Sequence, residues 1–225
     1  MDAHSSSHND DDQTEDPNIG RAFGAVRVAT PSAIEGIVET LTSAFFDDPL
    51  WGPVFPDVTR RAAQAGAFWR LLASSAGRYP WTFVTERGES AAIWIPSGGD
   101  ELTSDEKDSF DDFLVEIADR QVADKILAIT ELFGEVHPSE PHYYLSLLGT
   151  HRKHRGHGSG MALLRENLAR IDVLGAPAYL ESTNATNNER YESVGFRPHG
   201  ESSRSHRVMW SRRCGDPPTR RRENA

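Results

Sequence analysis

Residues 147–164 read LLGTHRKHRGHGSGMALL, a basic and glycine-rich segment between two apolar runs. Six of its side chains are or can be cationic, although the whole chain has a formal net charge of -10. A turn from a strand into a helix exposes backbone N–H groups that lack an intrahelical partner and carry the positive end of the helix dipole. The segment therefore predicts an anion site, most simply for a phosphate-bearing ligand.

The flanking sequence predicts that this turn lies inside a β-α-β unit. The run HYYLSLL before it is typical of a strand, and apolar residues from Met161 to Ile171 recur at helical spacing. Gly175 ends that helix, and AYLEST provides the next strand. Such a unit pairs its strands in parallel with a right-handed crossover.

The rest of the chain predicts a mixed α/β domain in the order β-α-α-β-β-α-β-α-β-α-β-β. Residues 25–29 (AVRVA) form the first strand, and the pair Trp81 to Thr85 and Ala91 to Ile95 forms a hairpin. Thr103 and Glu106 have the spacing of a capping box, followed by one long or two shorter helices that we expect to stop at Gly134. Residues 197–210 predict a terminal hairpin.

Length and composition favour one domain with two tails. Among 225 residues, we expect a disordered acidic tail over 1–22, a folded domain over 23–212 and a disordered basic tail over 213–225. Cys214 is the single cysteine, which excludes an intramolecular disulfide. The sequence lacks a secretory signal and a membrane-spanning run, so we predict a cytoplasmic protein without membrane or nucleic-acid partners.

The turn carries a recognisable spacing, Arg155-x-x-Gly158-x-Gly160. It lacks the Gly-Lys-Ser/Thr of a Walker loop and the third glycine of a dinucleotide fingerprint. A glycine-rich loop that serves packing alone is the alternative. Further along, RYESVGF supplies Tyr191, Gly195 and Phe196, with Asn187 four residues before the tyrosine.

Together these motifs resemble the GCN5-related N-acetyltransferase (GNAT) superfamily, and most closely its puromycin N-acetyltransferase-like members. Other matching stretches are AVRVAT, AFFDDP, EPHYYLSLLGT and GAPAYLEST, and the likeness covers roughly residues 25 to 210. Thr150 and Arg152 depart from the family's usual Val and Pro, which affects the strand edge. The resemblance implies a mostly antiparallel sheet flanked by helices, with acetyl-CoA as co-substrate at the turn.

The resemblance also implies roles for individual residues. Tyr191 is similar to the family's general acid beside the thioester sulfur, and Glu181 to the base that takes the amine proton, directly or through water. A packing tyrosine and a glutamate paired with an arginine are the alternatives. The implied cofactor-binding residues are Leu147, Leu148, Gly149, Arg155, Gly156, His157, Gly158, Ser159, Gly160 and Asn187.

Acceptor selection is expected at the loop that holds Phe46, Asp47, Asp48 and Trp51, with the region after Gly99 as a second wall. Aromatic rings there could stack on a substrate and carboxylates could attract its ammonium. A buried Trp51 and a solvated acidic turn are the alternative.

His151, His154 and His157 do not predict a metal site, because their spacing on a turn prevents them from facing one point. We therefore expect an acetyl-CoA-dependent N-acetyltransferase of small-molecule amines, without a metal, that acts by direct transfer as a monomer or homodimer. A protein or peptide N-acetyltransferase and a non-catalytic acyl-CoA sensor are the alternatives.

Overall fold

The computed structural model describes residues 26–198 and the backbone of residues 208–212. The two predicted tails lie outside the described residues. Seven strands form one sheet in the order β1-β2-β3-β4-β5-β7-β6. Their bounds are β1 Val26–Val28, β2 Thr82–Thr85, β3 Ser90–Ile95, β4 Tyr143–Thr150, β5 Ala178–Ser182, β6 Arg197–Pro198 and β7 Val208–Arg212.

Helices cover both faces of this sheet. Their bounds are α1 Ile34–Phe45, α2 Trp51–Val54, α3 Val58–Ala76, α4 Ser104–Asp108, α5 Phe110–Ile117, α6 Arg120–Val136, α7 Ser159–Val173 and α8 Asn188–Glu192. Side chains of β3 alternate between the two layers: Ile93 packs into the core with α1, α3 and α6, whereas Trp94 packs against α7. The Trp94 indole donates a 3.0 Å hydrogen bond to the buried Asn167 side chain of α7.

The mixed, mostly antiparallel sheet expected from the sequence is confirmed. β4 and β5 pair in parallel and α7 connects them, while the other neighbouring strands pair antiparallel. The hairpin of β2 and β3, the capping box of Thr103 and Glu106, and the antiparallel β6–β7 pair also agree with the expectations.

Two expectations about the middle of the chain were wrong. The segment after Thr103 forms three helices, α4 to α6, rather than one or two. α6 passes through Gly134 and ends at Val136, because Gly134 lies on an exposed helix surface where its missing side chain leaves backbone hydrogen bonding intact.

A β-bulge in β4 changes which faces its side chains occupy. Ile93 pairs with Leu147 and the next residue, Trp94, pairs with Leu145, so Ser146 is the extra residue. As a result Leu145 and Leu147, two positions apart, enter opposite core layers. Ser146 is partly exposed and lines the cleft described below.

β4 and β5 separate beyond their first paired residues. They pair only at Tyr143 with Ala178 and at Tyr144 with Tyr179, although β4 continues to Thr150. Residues 145–150 therefore have strand β3 on one side and no described strand on the other. This opening leaves one edge of β4 available to a ligand.

Candidate active site

A cleft of about 1300 Å³ lies where β4 and β5 diverge. Its walls come mainly from five parts of the chain: the acidic loop between α1 and α2, the loop after β3, the segment from the end of α6 into β4, the turn before α7, and the segment from β5 to α8. A volume of this size accommodates a large cofactor together with a small acceptor.

The turn before α7 has a backbone that glycine alone adopts readily. Gly156 and Gly158 have φ of 85° and 80°, and Gly158 forms the N-cap of α7. A side chain at either position would strain the backbone. Both glycines line the cleft, and so does Ser159, the first residue of the helix. The first N–H groups of a helix of fifteen residues therefore lie at the cleft wall.

Gly160 has a different role, which is close packing. A Cβ at this position would lie 2.5 Å from Thr150 Oγ1. That hydroxyl is 2.9 Å from Ser90 Oγ, which in turn is 2.9 Å from Ser159 Oγ. This chain of hydroxyls joins β3, β4 and α7, and it explains how the strand edge is held although Thr150 departs from the family pattern.

The arginines of the turn are partly engaged with the neighbouring loop. Arg152 is 3.4 Å from the Asp47 carboxylate and places its guanidinium 5.1 Å from the Phe46 ring centroid. Arg155 donates to the carbonyl of Ala44 and lines the cleft. These contacts hold the basic turn against the end of α1 while the guanidiniums remain exposed.

Tyr191 lies in α8 on the far side of the same cleft. Burial, reinforced by the nearby Asp48 carboxylate, raises the pKa of Tyr191 to about 12. The phenol is therefore a hydrogen-bond donor at every physiological pH, and a weaker acid than the ordinary phenol expected from the sequence. Because Tyr191 lines the cleft, its phenol can donate a hydrogen bond to a ligand bound there.

Glu181 projects from β5 into the cleft, and only 3% of its side chain is exposed. Its Oε1 is buried without a hydrogen-bond donor among the described residues. The phenols of Tyr144 and Tyr179 lie beside it, and burial together with the Glu181 charge raises the pKa of both. An arginine partner, the alternative structural explanation for Glu181, is absent from the ion pairs of the described residues.

A second carboxylate, Glu101, lies in the same region of the cleft. It comes from the loop after β3 and accepts a hydrogen bond from Ser146 Oγ at the β4 bulge. Burial raises the pKa of Glu101, and the negative charge of Glu181 adds to that rise despite the opposing effects of Ser146 and His137. The sequence predicted that the region after Gly99 forms a wall of the site, and this region does line the cleft. It did not single out Glu101, because no motif surrounds that residue.

Two histidines complete this group. His137 Nδ1 is 3.6 Å from Glu181 Oε1, and His137 Nε2 is 2.9 Å from His142 Nε2. His142 Nδ1 is 2.7 Å from the carbonyl of Glu140, so His142 carries its proton on Nδ1 and accepts at Nε2. His137 must then donate from its Nε2 to Nε2 of His142. Its Nδ1, on the other side of the ring, faces Glu181 and carries no proton in the neutral ring.

Asp48 and Trp51, which the sequence predicted to contact the acceptor, make hydrogen bonds and ring contacts within the protein itself. Asp48 Oδ1 accepts from the backbone N–H groups of Leu50 and Trp51 at 2.9 and 3.1 Å, and Oδ2 accepts from Thr183 Oγ1 at 2.9 Å. Trp51 is 8% exposed and contacts the rings of Phe68 and Trp69, although its edge lines the cleft. Asp48 and Trp51 therefore shape the wall.

Most of the residues singled out from the sequence line this one cleft, and two do not. Phe46 and His157 lie outside the lining, since Phe46 packs between Arg61 and Arg152 and His157 is exposed. Asn187 accepts from Arg190 at 3.1 Å. The predicted residues that line the cleft are Asp48, Trp51, Leu147, Leu148, Gly149, Arg155, Gly156, Gly158, Ser159, Gly160, Glu181, Asn187 and Tyr191.

The described residues contain no group of three or more side chains arranged to hold a metal ion. Within the same ranges, no helix has the length and apolar character needed to cross a membrane.

No family model matches this chain. Solved structures with the same fold include a histone acetyltransferase HPA2 and related acetyltransferase from Corynebacterium glutamicum, with 23% identity and a TM-score of 0.60 over 88% of this chain and 98% of that one. A mosquito arylalkylamine N-acetyltransferase like 5b has 16% identity and a TM-score of 0.53, with 83% and 97% of the two chains covered.

A GNAT-family acetyltransferase from Streptococcus agalactiae 2603 has 13% identity and a TM-score of 0.53, with 84% of this chain and 94% of that one covered. At these identities the matches establish the fold. The chain has the mixed α/β fold of the GNAT acetyltransferases.

Proposed function

We propose that this protein is an acetyl-CoA-dependent N-acetyltransferase that acts on a small-molecule amine. One observation carries the proposal: the glycine-rich turn, the open edge of β4 and the side chains of Glu181 and Tyr191 all line a single cleft. A site for a phosphate group thus adjoins a buried base and a buried phenol. Fold alone would not suffice, because one fold supports many functions.

The residues of the cleft suit acetyl-CoA, which supplies an acetyl group activated as a thioester. Gly156, Gly158 and the first N–H groups of α7 would hold its pyrophosphate, with Arg155 adding positive charge. The free edge of β4 around Leu147 to Gly149 would offer backbone N–H groups to its acetyl carbonyl.

Glu181 is the base in this proposal. An amine must lose a proton to become a nucleophile, and the buried Glu181 carboxylate lines the cleft beside the phenols of Tyr144 and Tyr179, with its Oε1 lacking a hydrogen-bond donor among the described residues. The proton then passes to His137 Nδ1, which is 3.6 Å from Glu181 Oε1. His137 is 34% exposed on its side chain and releases the proton to water.

Tyr191 acts on the departing sulfur. Because the pKa of Tyr191 is about 12 and that of an ordinary thiol is ~8.5, complete proton transfer to the thiolate is uphill. A hydrogen bond from the phenol to the developing thiolate therefore accounts for most of its expected contribution. In this proposal the amine attacks the thioester directly, because a base and a hydrogen-bond donor for the leaving sulfur suffice without a covalent enzyme intermediate.

The acceptor class is proposed more broadly than a single compound. The stretches similar to puromycin N-acetyltransferase-like members favour a toxic or antibiotic amine. One of the structurally similar proteins is an arylalkylamine N-acetyltransferase-like protein, which makes an arylalkylamine a reasonable first substrate.

The test is release of free CoA thiol when the purified protein is mixed with acetyl-CoA and an amine panel that contains tyramine, agmatine, puromycin and a lysine peptide. We expect release with a small amine, and a loss on the order of 10²-fold in Glu181→Gln. If only the lysine peptide causes thiol release, the acceptor is a protein or peptide and the small-molecule proposal is wrong. Acetyl-CoA binding without release from any amine would instead favour a sensor.

A further inference from the structure

We propose that Glu101 and Glu181 together bind the cationic amino group of the acceptor, so that Glu101 selects amines that carry no neighbouring carboxylate. This inference rests on the proposed function and names its substrate class. Glu101 has no part in the motifs of the sequence, and its assignment comes from the geometry of the cleft.

Two elements bring the carboxylates to one place. Glu101 lies on the loop after β3 and is held by Ser146, whose position depends on the β4 bulge. Glu181 lies on β5, the strand that follows β4 in the sheet. Both side chains line the cleft, and Glu181 Oε1 is buried without a hydrogen-bond donor among the described residues. A buried carboxylate oxygen without a donor is costly unless a ligand provides one.

The nearby cationic side chains do not neutralise this pair. Arg78 donates to the backbone carbonyls of Ser75 and Asp100, and Lys107 is 2.8 Å from the Asp100 carboxylate. His137 faces Glu181, with its Nδ1 3.6 Å from Oε1. His142 also interacts with Glu181, but burial lowers the pKa of His142 and so favours its neutral form. Among the described residues, no Lys or Arg forms an ion pair with either carboxylate.

Aromatic rings form the remaining wall. His137 has its ring centroid 4.8 Å from Tyr144 and 5.2 Å from Tyr179, and His142 lies 5.4 Å from Tyr179. Ring faces and edges of this kind accommodate the apolar stem of an amine, while the carboxylates receive its ammonium. Carboxylates beside aromatic rings are well suited to a cation with a short hydrophobic chain.

The titratable groups around Glu101 agree with this placement. They are Glu181 from β5, His137 after α6, and Tyr144 from β4. In the empty site, burial and the Glu181 charge favour the protonated form of Glu101. An ammonium between the two carboxylates would favour the ionised form of both.

Amines with an adjacent carboxylate should be rejected for the same reason. Their carboxylate would enter a cleft region that already holds two acidic side chains, where the nearby Lys107 is already paired with Asp100. Tyramine and tyrosine differ by this one group, and tyrosine methyl ester has similar bulk to tyrosine without the charge. Agmatine and arginine form a second matched pair.

The experiment measures kcat and KM for these five compounds with the wild type, Glu101→Gln and the control Glu140→Gln. Gln still accepts the Ser146 hydrogen bond, and Glu140 is an exposed acid at the same cleft. We expect the wild type to prefer tyramine over tyrosine by tenfold or more, with the ester close to tyramine. Glu101→Gln should raise KM for tyramine and agmatine about tenfold with a smaller change in kcat, and should reduce the preference.

The contradicting result is an unchanged KM in Glu101→Gln, equal use of tyramine and tyrosine by the wild type, or the same change in Glu140→Gln. Calorimetric titration of tyramine and agmatine into each protein separates this inference from the proposed function. Amine binding that depends on Glu101 without thiol release from any amine would retain the cation site and reject the transferase. Thiol release that does not depend on Glu101 would retain the transferase and reject the cation site. If neither thiol release nor amine binding is observed, both proposals are rejected.

Discussion

At the scale of single residues, the proposed catalysis depends on two groups that line the cleft, Tyr191 and Glu181. Tyr191 stays protonated because burial and Asp48 raise its pKa to about 12. Glu181 can reach a bound amine because its side chain enters the cleft and its Oε1 has no hydrogen-bond donor among the described residues. Each of these properties gives a measurable consequence.

Replacing Tyr191 with Phe should lower kcat on the order of 10²-fold while acetyl-CoA affinity changes little, because the hydroxyl acts on the leaving sulfur. The pH dependence gives a second readout. Since the pKa of Tyr191 is about 12, any loss of rate between pH 8 and 10 must come from another group and should persist in Tyr191→Phe. Stopped assays of thiol release across pH check both points, and an unchanged kcat would remove Tyr191 from the mechanism.

Replacing His137 with Ala should slow turnover tenfold or more, because Glu181 would lose the group that accepts its proton. Added imidazole should restore part of the rate, in proportion to its unprotonated fraction as pH is varied. Wild-type protein with the same imidazole is the control. A loss of activity that imidazole does not repair at any pH would indicate a packing role for His137 instead.

Glu101→Gln should raise thermal stability at neutral pH. The folded-state pKa of Glu101 lies above its ordinary value, so the stability that Glu101 contributes is complete below that ordinary pKa and is lost as pH rises through the raised one. The Gln variant avoids this loss, and about 1 kcal/mol corresponds to ~2–4 °C in Tm for a chain of this size. Calorimetric scans from pH 4 to 8 should show the Tm difference growing with pH. A difference independent of pH would contradict the assignment.

Some of these site residues could be predicted from the sequence, and others could not because tertiary structure alone brings them to the site. Tyr191 and Glu181 occur in stretches that resemble a family, and Gly156, Gly158 and Gly160 mark their turn directly. Glu101 and His137 reach the site through the bulge in β4 and the end of α6. Such long-range placement leaves no periodic or spacing signal in the local sequence.

At the scale of elements, the turn before α7 has the strictest packing requirement. Gly160→Ala would place a Cβ 2.5 Å from Thr150 Oγ1 and disturb the hydroxyl chain through Ser90 and Ser159. We expect a loss of about 1–3 kcal/mol in the free energy of unfolding. The double variant Thr150→Ala/Gly160→Ala should recover part of that loss, because the clashing hydroxyl is gone.

Gly134→Ala is the matched control for this comparison. An added Cβ at Gly134 meets nothing within 4 Å, and the residue lies inside α6. This substitution should stabilise the protein by ~0.5–1 kcal/mol. Denaturant unfolding of the three variants and the wild type measures these changes in the free energy of unfolding. Equal stability of Gly160→Ala and the wild type would show that the turn tolerates the wider approach.

Helices and strands with a regular spacing of apolar residues were predicted well. Features that depend on tertiary contacts were predicted poorly. The alternation in AVRVA and the helical spacing after Pro31 identify β1 and α1. The end of α6 and the bulge at Ser146 were beyond local patterns, since an exposed glycine is tolerated inside a helix and a bulge arises from strand pairing.

At the scale of the whole molecule, an acidic chain carries a cluster of basic groups at the turn before α7. With a net charge of -10, the protein as a whole repels an anionic cofactor, and the turn must overcome this locally. Because β4 and β5 diverge, the cleft between them is lined by that turn and by the carboxylates of Glu101 and Glu181. Cofactor and cationic amine are thereby received by regions of opposite charge.

Calorimetric titration of acetyl-CoA into the purified protein tests this account most directly, since every proposed role depends on that ligand in the cleft. We expect one acetyl-CoA site per chain, with an affinity that falls as salt is raised, because charged groups of the turn hold the phosphates. Absence of acetyl-CoA binding at low salt would contradict the interpretation of the glycine-rich turn and, with it, the proposed transferase.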